Sequence, residues 1–197
     1  MKILFATQNR GKLEEANNIL NPLGYEVREV PFSFSEPATG SVKKIAHIKL
    51  QQIINEGFDC VMVDDAGIFF EAYPTFPGVL SKRLFQQLGY KGMAKLLDGE
   101  SRSAWFEGCI ALSWQGKIQT FSGKTHGSII HFEQSPTENP HFPYDPIFIP
   151  NGENRTLSEM STDERLSYSY RREALLQLAN WLEERAHACD NRPRSRK

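Results

Sequence analysis

The run Cys60-Val61-Met62-Val63, which leads directly into Asp64-Asp65-Ala66-Gly67, constrains this chain more than any other stretch. An apolar run this short predicts a buried strand, and acids at its carboxyl end stand where α/β sheets bind ligands. Gly67 predicts a sharp turn there, followed by a loop that carries Pro77-Gly78 and the cations Lys82 and Arg83. Carboxylates that hold a divalent metal, faced by cations that hold phosphate, are the equipment of phosphoryl or nucleotidyl hydrolysis. An isolated Asp-Asp-x-Gly is more often an Asx-type turn that ends a strand, so the segments around it must decide.

At 197 residues the chain fits one domain, or two lobes around one cleft, with a substantial core. Residues 1–189 are expected to form that domain and 190–197, with Arg192, Arg194, Arg196 and Lys197, a frayed basic tail. A formal net charge of -1 gives no global pull toward duplex nucleic acid or an anionic membrane, so any phosphate site must be local. Cys60, Cys109 and Cys189 are odd in number and lack C-x-x-C spacing. That argues against a disulfide framework or zinc site and fits a reducing cytoplasm. The amino terminus turns polar too soon for a signal peptide, and no stretch approaches membrane-spanning length.

Ile3 to Ala6 reads as a strand, Thr7 to Lys12 as a polar loop, and Leu13, Ala16, Ile19 and Leu20 as the stripe of a helix. Thr7, Asn9 and Lys12 then surround a helix amino terminus, which attracts anions. The Walker A spacing is absent, and capping by Thr7 or Asn9 explains the same residues equally well. A second helix is expected from Ser41 to Asn55, with Lys49 interrupting its apolar stripe. Such a lysine either snorkels at the core rim or faces a cleft.

Phe85, Leu88, Met93, Leu96 and Leu97 predict a helix broken around Gly89 and Gly92. Strict alternation from Ala104 to Trp114, then Gln115-Gly116 and a strand from Lys117 to Phe121, predicts a long hairpin whose aromatic side chains belong to the core. Asn139 to Pro146 is a proline-stiffened loop whose aromatics suit a flat ligand. Ser161-Thr162-Asp163-Glu164 is a capping box, and Leu175, Leu178, Leu182 and Ala186 stripe a carboxyl-terminal helix. Between them, Arg165 to Arg172 taken alone reads as a solvated helix face.

In order, Thr7-x-Asn9-x-x-Lys12, Asp64-Asp65-Ala66-Gly67, Pro77-Gly78-Val79-x-Ser81-x-Arg83, Phe142-x-Tyr144-Asp145-Pro146 and Ser169-x-Arg171 resemble the inosine triphosphate pyrophosphatase family. The resemblance spans about Ile3 to Leu182. It implies an α/β fold in which a long mixed β-sheet with flanking helices forms two lobes around a central cleft. It also implies a homodimer and magnesium-dependent hydrolysis of a purine nucleoside triphosphate to the monophosphate and pyrophosphate. Under it, Asp65 binds the metal and helps activate water, with Asp64 beside it. Thr7, Asn9, Lys12 and Lys49 hold the triphosphate, while Phe142, Tyr144 and Asp145 form a base pocket closed by Ser169 and Arg171. Arg83, Arg165 and Tyr170 complete the substrate-facing set. N–H donors from Arg171 and from backbone near Phe142 would then select a C6 oxo group over an amino group.

The chain departs from the family at several of these places. Lys44 aligns with an acidic metal ligand, which weakens the magnesium site unless Glu36 or another acid substitutes. Tyr170 replaces a histidine, Pro143 a glycine and Ala66 a serine. Two alternatives follow: a catalytically weakened nucleotide-binding or regulatory paralogue with Lys44 in place of the metal, and a nucleic-acid module using Arg165, Arg171, Arg172 and the basic tail.

Overall fold

The computed structural model describes residues 1–132, 135–137 and 142–190, with side chains to residue 185. Asn139, Pro140 and His141 of the proline-rich loop, the Ala186 and Cys189 side chains, and the basic tail beyond Asp190 lie outside the described residues.

The apolar run at Ile3 becomes β1 (Lys2–Ala6), and α1 (Arg10–Leu20) returns the chain to β2 (Glu26–Val30), parallel to β1. Helix α2 (Val42–Asn55), capped by Ser41, leads into β3 (Val61–Phe70), parallel to β1 on its other side. A two-residue strand, β4 (Pro77–Gly78), pairs with β3 alone. Helix α3 (Ser81–Leu96) follows and is interrupted where Gly89 leaves helical geometry at φ 56°, ψ -171°. Gly92 stays inside its second half, so the break falls at one glycine of the two expected.

β5 (Ser103–Trp114) and β6 (Lys117–Ile129) form the hairpin, joined by Gln115 at φ 49° and Gly116 at φ 70°. Two successive positive φ angles match the right-handed twist of the strands. β6 runs on past the expected Phe121 to pair with β7 (Phe148–Pro150). α4 (Thr162–Ser167) carries the reciprocal Ser161–Glu164 capping box, and α5 (Tyr170–Asp190) is the last element among the described residues. The sheet order is β2-β1-β3-β5-β6-β7, parallel at the β2, β1 and β3 end and antiparallel thereafter.

Alternation along β3 divides the core. Met62 faces α1 and α5 with Ile3, Phe5, Leu175 and Leu178, and Ile68 and Phe70 continue the same face against Phe85 and Met93 of α3. Val61 and Val63 face α2 with Ala46, Leu50 and Ile53. The first face thus has two apolar clusters, interrupted along β3 at Asp64 and Ala66.

Two expectations about this strand need correcting. Asp64 and Asp65 lie inside β3, in register with Ile110 and Cys109 of β5, not at its end. What ends there is β1: Phe5 is paired with Met62, and β4 next meets β3 at Ile68. Residues 63–67 therefore present an open strand edge, a gap in the sheet between β1 and β4. Gly67 makes no turn; a Cβ there would come 2.0 Å from the Gly78 carbonyl oxygen, so its missing side chain admits β4 against β3. Cys60 and Cys109 are free thiols, as the cysteine spacing implied.

Candidate active site

The gap in the sheet opens into a cleft of about 700 Å³. Its floor is the exposed edge of β3. Adjacent residues of a strand point to opposite faces, yet both acids reach this space because no neighbouring strand covers the edge between them. Asp64 turns toward α1 and α5, where its Oδ2 meets Lys12 Nζ at 3.1 Å and Arg171 Nε at 2.9 Å. Asp65 turns toward α2, where its Oδ1 lies 3.5 Å from Lys49 Nζ.

The local structure explains each placement. Asn9 caps α1 by accepting from the Lys12 amide at 3.1 Å, and Thr7 Oγ1 accepts from the Asn9 amide at 3.1 Å. Both polar side chains thus shape the loop that aims the start of α1 at the cleft. Lys49 is buried, and its ammonium donates to the Asp64 carbonyl at 3.0 Å and pairs with Glu36 Oε1 at 3.0 Å. Of the two readings of Lys49, the cleft-facing cation is the one observed. Phe34 lies under that ammonium, 5.2 Å from ring centre to Nζ, and Gln52 ties the segment to α2 through the Ser35 amide and carbonyl.

The opposite wall is a buried ionic network. Arg171, only 1% exposed, directs Nε to Asp64, Nη1 to Glu15 and Nη2 to the Tyr170 oxygen. Glu15 also receives Arg165 Nη1 at 2.7 Å, and Arg165 lies 3.4 Å from Asp145 Oδ2 and 4.4 Å over the Phe142 ring. Arg165 and Arg171 therefore do not belong to a solvated face, and as cleft residues they are unavailable to a nucleic-acid surface; Arg172 alone of the three is exposed. Each Arg171 nitrogen donates one hydrogen bond to protein, so of its five N–H groups only the second ones on Nη1 and Nη2 remain for the oxo-selecting role expected of it. Ser169 Oγ accepts from the Arg171 amide at 3.2 Å. Tyr144 is buried and lines the cleft with its hydroxyl donating to the Ser81 carbonyl at 2.8 Å.

The protonation states follow from this packing. Burial would raise the Asp64 carboxyl, but Arg171 and Lys12 outweigh it and hold the group at about 2. For Asp65, burial wins over Lys49 and pushes it up to about 6. Burial likewise lifts Asp145 to about 7 against the pull of Arg165. Burial lowers the Lys12 ammonium, while for Lys49 the charges of Asp65 and Glu36 outweigh burial and raise it. Two adjacent carboxylates with opposed shifts are suited to different tasks: one permanently charged, the other able to exchange a proton near neutrality.

Among the described residues no group of three or more His, Cys, Asp or Glu side chains forms a ready metal cage. A divalent cation still fits the donor set. Asp64 Oδ1 and Asp65 Oδ2 are buried without a hydrogen-bond partner, and Glu36 stands across Lys49 from Asp65. Magnesium is characteristically held by one or two carboxylates with water and substrate phosphate completing its shell. Lys44 lies outside this arrangement: it is exposed in the first turn of α2 and is not among the cleft-lining residues, which include Glu36.

Thr7, Asn9, Lys12, Lys49, Asp64, Asp65, Phe142, Tyr144, Asp145, Arg165, Ser169, Tyr170 and Arg171 thus all line one cleft. Arg83 does not; it is exposed, and Lys82 beside it takes the wall position. Glu15 was missed, although a carboxylate beside Ala16 and one turn before Ile19 on an apolar stripe is a signal for a buried ion pair. Phe32, Phe34 and Phe106 were missed as cleft residues because their spacing carries only a core signal.

The Ham1 family model matches residues 3–181. The dITP/XTP pyrophosphatase of Thermococcus kodakarensis is 38% identical over 185 residues, covering 93% of this chain and 98% of that protein. That of Hyperthermus butylicus is 38% identical over 181 residues, covering 91% and 94% respectively. Among solved structures, a HAM1 protein from Coxiella burnetii superposes with a TM-score of 0.74 at 26% identity, covering 93% of this chain and 99% of that one. The Staphylococcus aureus Ham1 protein gives a TM-score of 0.68 at 25% identity, covering 94% and 100%.

Proposed function

Because this chain belongs to the Ham1 family, we propose that it hydrolyses deaminated purine nucleoside triphosphates, releasing the monophosphate and pyrophosphate. The observation that carries this reading is the pairing, in one cleft, of two orphaned carboxylate oxygens with the half-buried Lys12 and the buried Lys49 beside an aromatic wall. The relatives named as dITP/XTP pyrophosphatases support the choice of substrate.

In this reading the triphosphate enters along Lys12, Lys49 and the start of α1, and the base rests against Phe142 and Tyr144 with Asp145, Ser169 and Tyr170 nearby. Asp65, with Asp64 and Glu36 as neighbours, would hold magnesium, which when bound offsets phosphate charge and acidifies water. Asp65 accepts the proton of the water that attacks the α-phosphorus, and pyrophosphate departs with its charge held by the lysines. The exposed position of Lys44 gives the weakened-paralogue alternative no support, since Glu36 supplies a cleft carboxylate instead. We also propose that the enzyme works in a reducing cytoplasm as a homodimer, which sedimentation would report as twice the 22.5 kDa chain mass.

A panel of nucleoside triphosphates with magnesium tests the reaction. Pyrophosphate release, fastest from inosine or xanthosine substrates, is expected; orthophosphate release, or no turnover of any triphosphate, overturns it. Asp65→Asn is expected to lose at least about 100-fold in kcat with its circular dichroism spectrum unchanged.

A further inference from the structure

The start of α5 rests on a notch cut by two paired glycines. Gly108 of β5 and Gly123 of β6 lie directly opposite each other. A Cβ on Gly108 would come 2.2 Å from Tyr170 Cε2 and 2.4 Å from Cδ2, and one on Gly123 would come 2.1 Å from the Tyr170 carbonyl oxygen. Both faces of this fit involve the same residue. The Tyr170 ring fills the Gly108 side of the notch and stacks on Phe106, centroids 5.9 Å apart at 26°. Its oxygen accepts a hydrogen bond from Arg171 Nη2, and the Arg171 guanidinium lies 4.8 Å over its ring.

Arg171 is the next residue on the same helix, fully buried, and its Nε holds Asp64 at 2.9 Å. A guanidinium is a planar fork, so fixing Nη2 fixes the direction of Nε as well. We infer that Tyr170 is a positioning residue, seated by Gly108 and Gly123, which sets the Arg171 guanidinium and through it the Asp64 carboxylate at the cleft floor. Its phenolic oxygen is turned to Arg171, so its effect on the reaction passes through that cation. The inference rests on the proposed hydrolysis and adds to it a residue whose contribution falls on turnover, not on nucleotide capture.

Two substitutions separate this role from a structural one. Tyr170→Phe keeps the ring in the notch and removes only the acceptor for Nη2. Gly108→Ala keeps the hydroxyl and expels the ring. Both are measured for kcat, KM and midpoint of thermal unfolding with inosine triphosphate and magnesium. Tyr170→Phe is expected to lower kcat about tenfold, the scale of one hydrogen bond to a charged group, with KM changed less than about threefold and the unfolding midpoint held. Gly108→Ala is expected to reproduce the kcat loss per folded molecule, and Gly108→Ser, which is bulkier, to exceed it. Wild-type kcat in Tyr170→Phe overturns the inference, as does a change confined to unfolding. A rise confined to KM also overturns it, because that would make Tyr170 a direct nucleotide contact. Absence of turnover in the unaltered protein would instead refute the proposed hydrolysis.

Discussion

At the scale of single residues, the site depends on how two neighbouring carboxylates are made unlike. Asp64 faces Arg171 and Lys12, and Asp65 faces Lys49. The proton-accepting role requires Asp65 to be ionised. With its carboxyl raised to about 6, kcat/KM measured against pH is expected to rise through an acid limb centred near 6. Lys49→Met, which removes the cation that favours ionisation, is expected to move that limb to higher pH, whatever it does to phosphate binding. Asp64 has the opposite sign. Its pKa is depressed from 3.8 to about 2, so the stability it contributes is present above 3.8 and is lost as pH falls toward 2. Asp64→Ala leaves Arg171 and Lys12 facing an empty place and is expected to cost about 3–5 kcal/mol in urea unfolding at neutral pH, while flattening the acid dependence in that window.

At the scale of elements, the cleft exists because strands of unequal length meet. β3 spans ten residues while β1 spans five and β4 two, which leaves residues 63–67 uncovered on one edge. β4 can close the far end of that opening only because Gly67 has no side chain. Gly67→Ala would place a methyl 2.0 Å from the Gly78 carbonyl, and since both partners are backbone neither can swing aside. The expected cost is about 1–3 kcal/mol in chemical denaturation with the slope unchanged, and detachment of β4 visible as faster amide exchange at Ile68 and Phe70, whose amides bond Ser81 Oγ and the Phe76 carbonyl. Hydrophobic periodicity made the elements themselves legible: α1, α2, the β5–β6 hairpin and the capping box appear where the sequence implies them. The relative lengths of paired strands were not legible, since nothing in the Cys60–Gly67 stretch reports where its neighbour stops.

At the scale of the whole molecule, the cleft draws its walls from the start of α1, the 32–36 segment, α2, β3, the 142–145 loop and α5, which are separated by most of the chain. A ligand that touches all of them holds them together and cannot bind the unfolded chain in the same way. Inosine triphosphate with magnesium at about 100 times its dissociation constant is therefore expected to add about 2.7 kcal/mol of stability, read as a raised unfolding midpoint that returns to baseline with chelator for the magnesium-dependent part. Periodicity, capping and turn chemistry in the sequence determined the helices and strands, because they act over a few neighbouring residues, while the mixed sheet and the set of cleft residues followed only from the resemblance of its motifs to a known family. Only the tertiary structure decided that Glu15 belongs in the site, that Lys44 and Arg83 do not line it, that Arg171 ties each of its three nitrogens to protein, and that Asp64 and Asp65 share one opening from opposite faces of a strand. Those outcomes turn on burial and on charges brought together from distant segments, quantities that do not exist until the chain has packed.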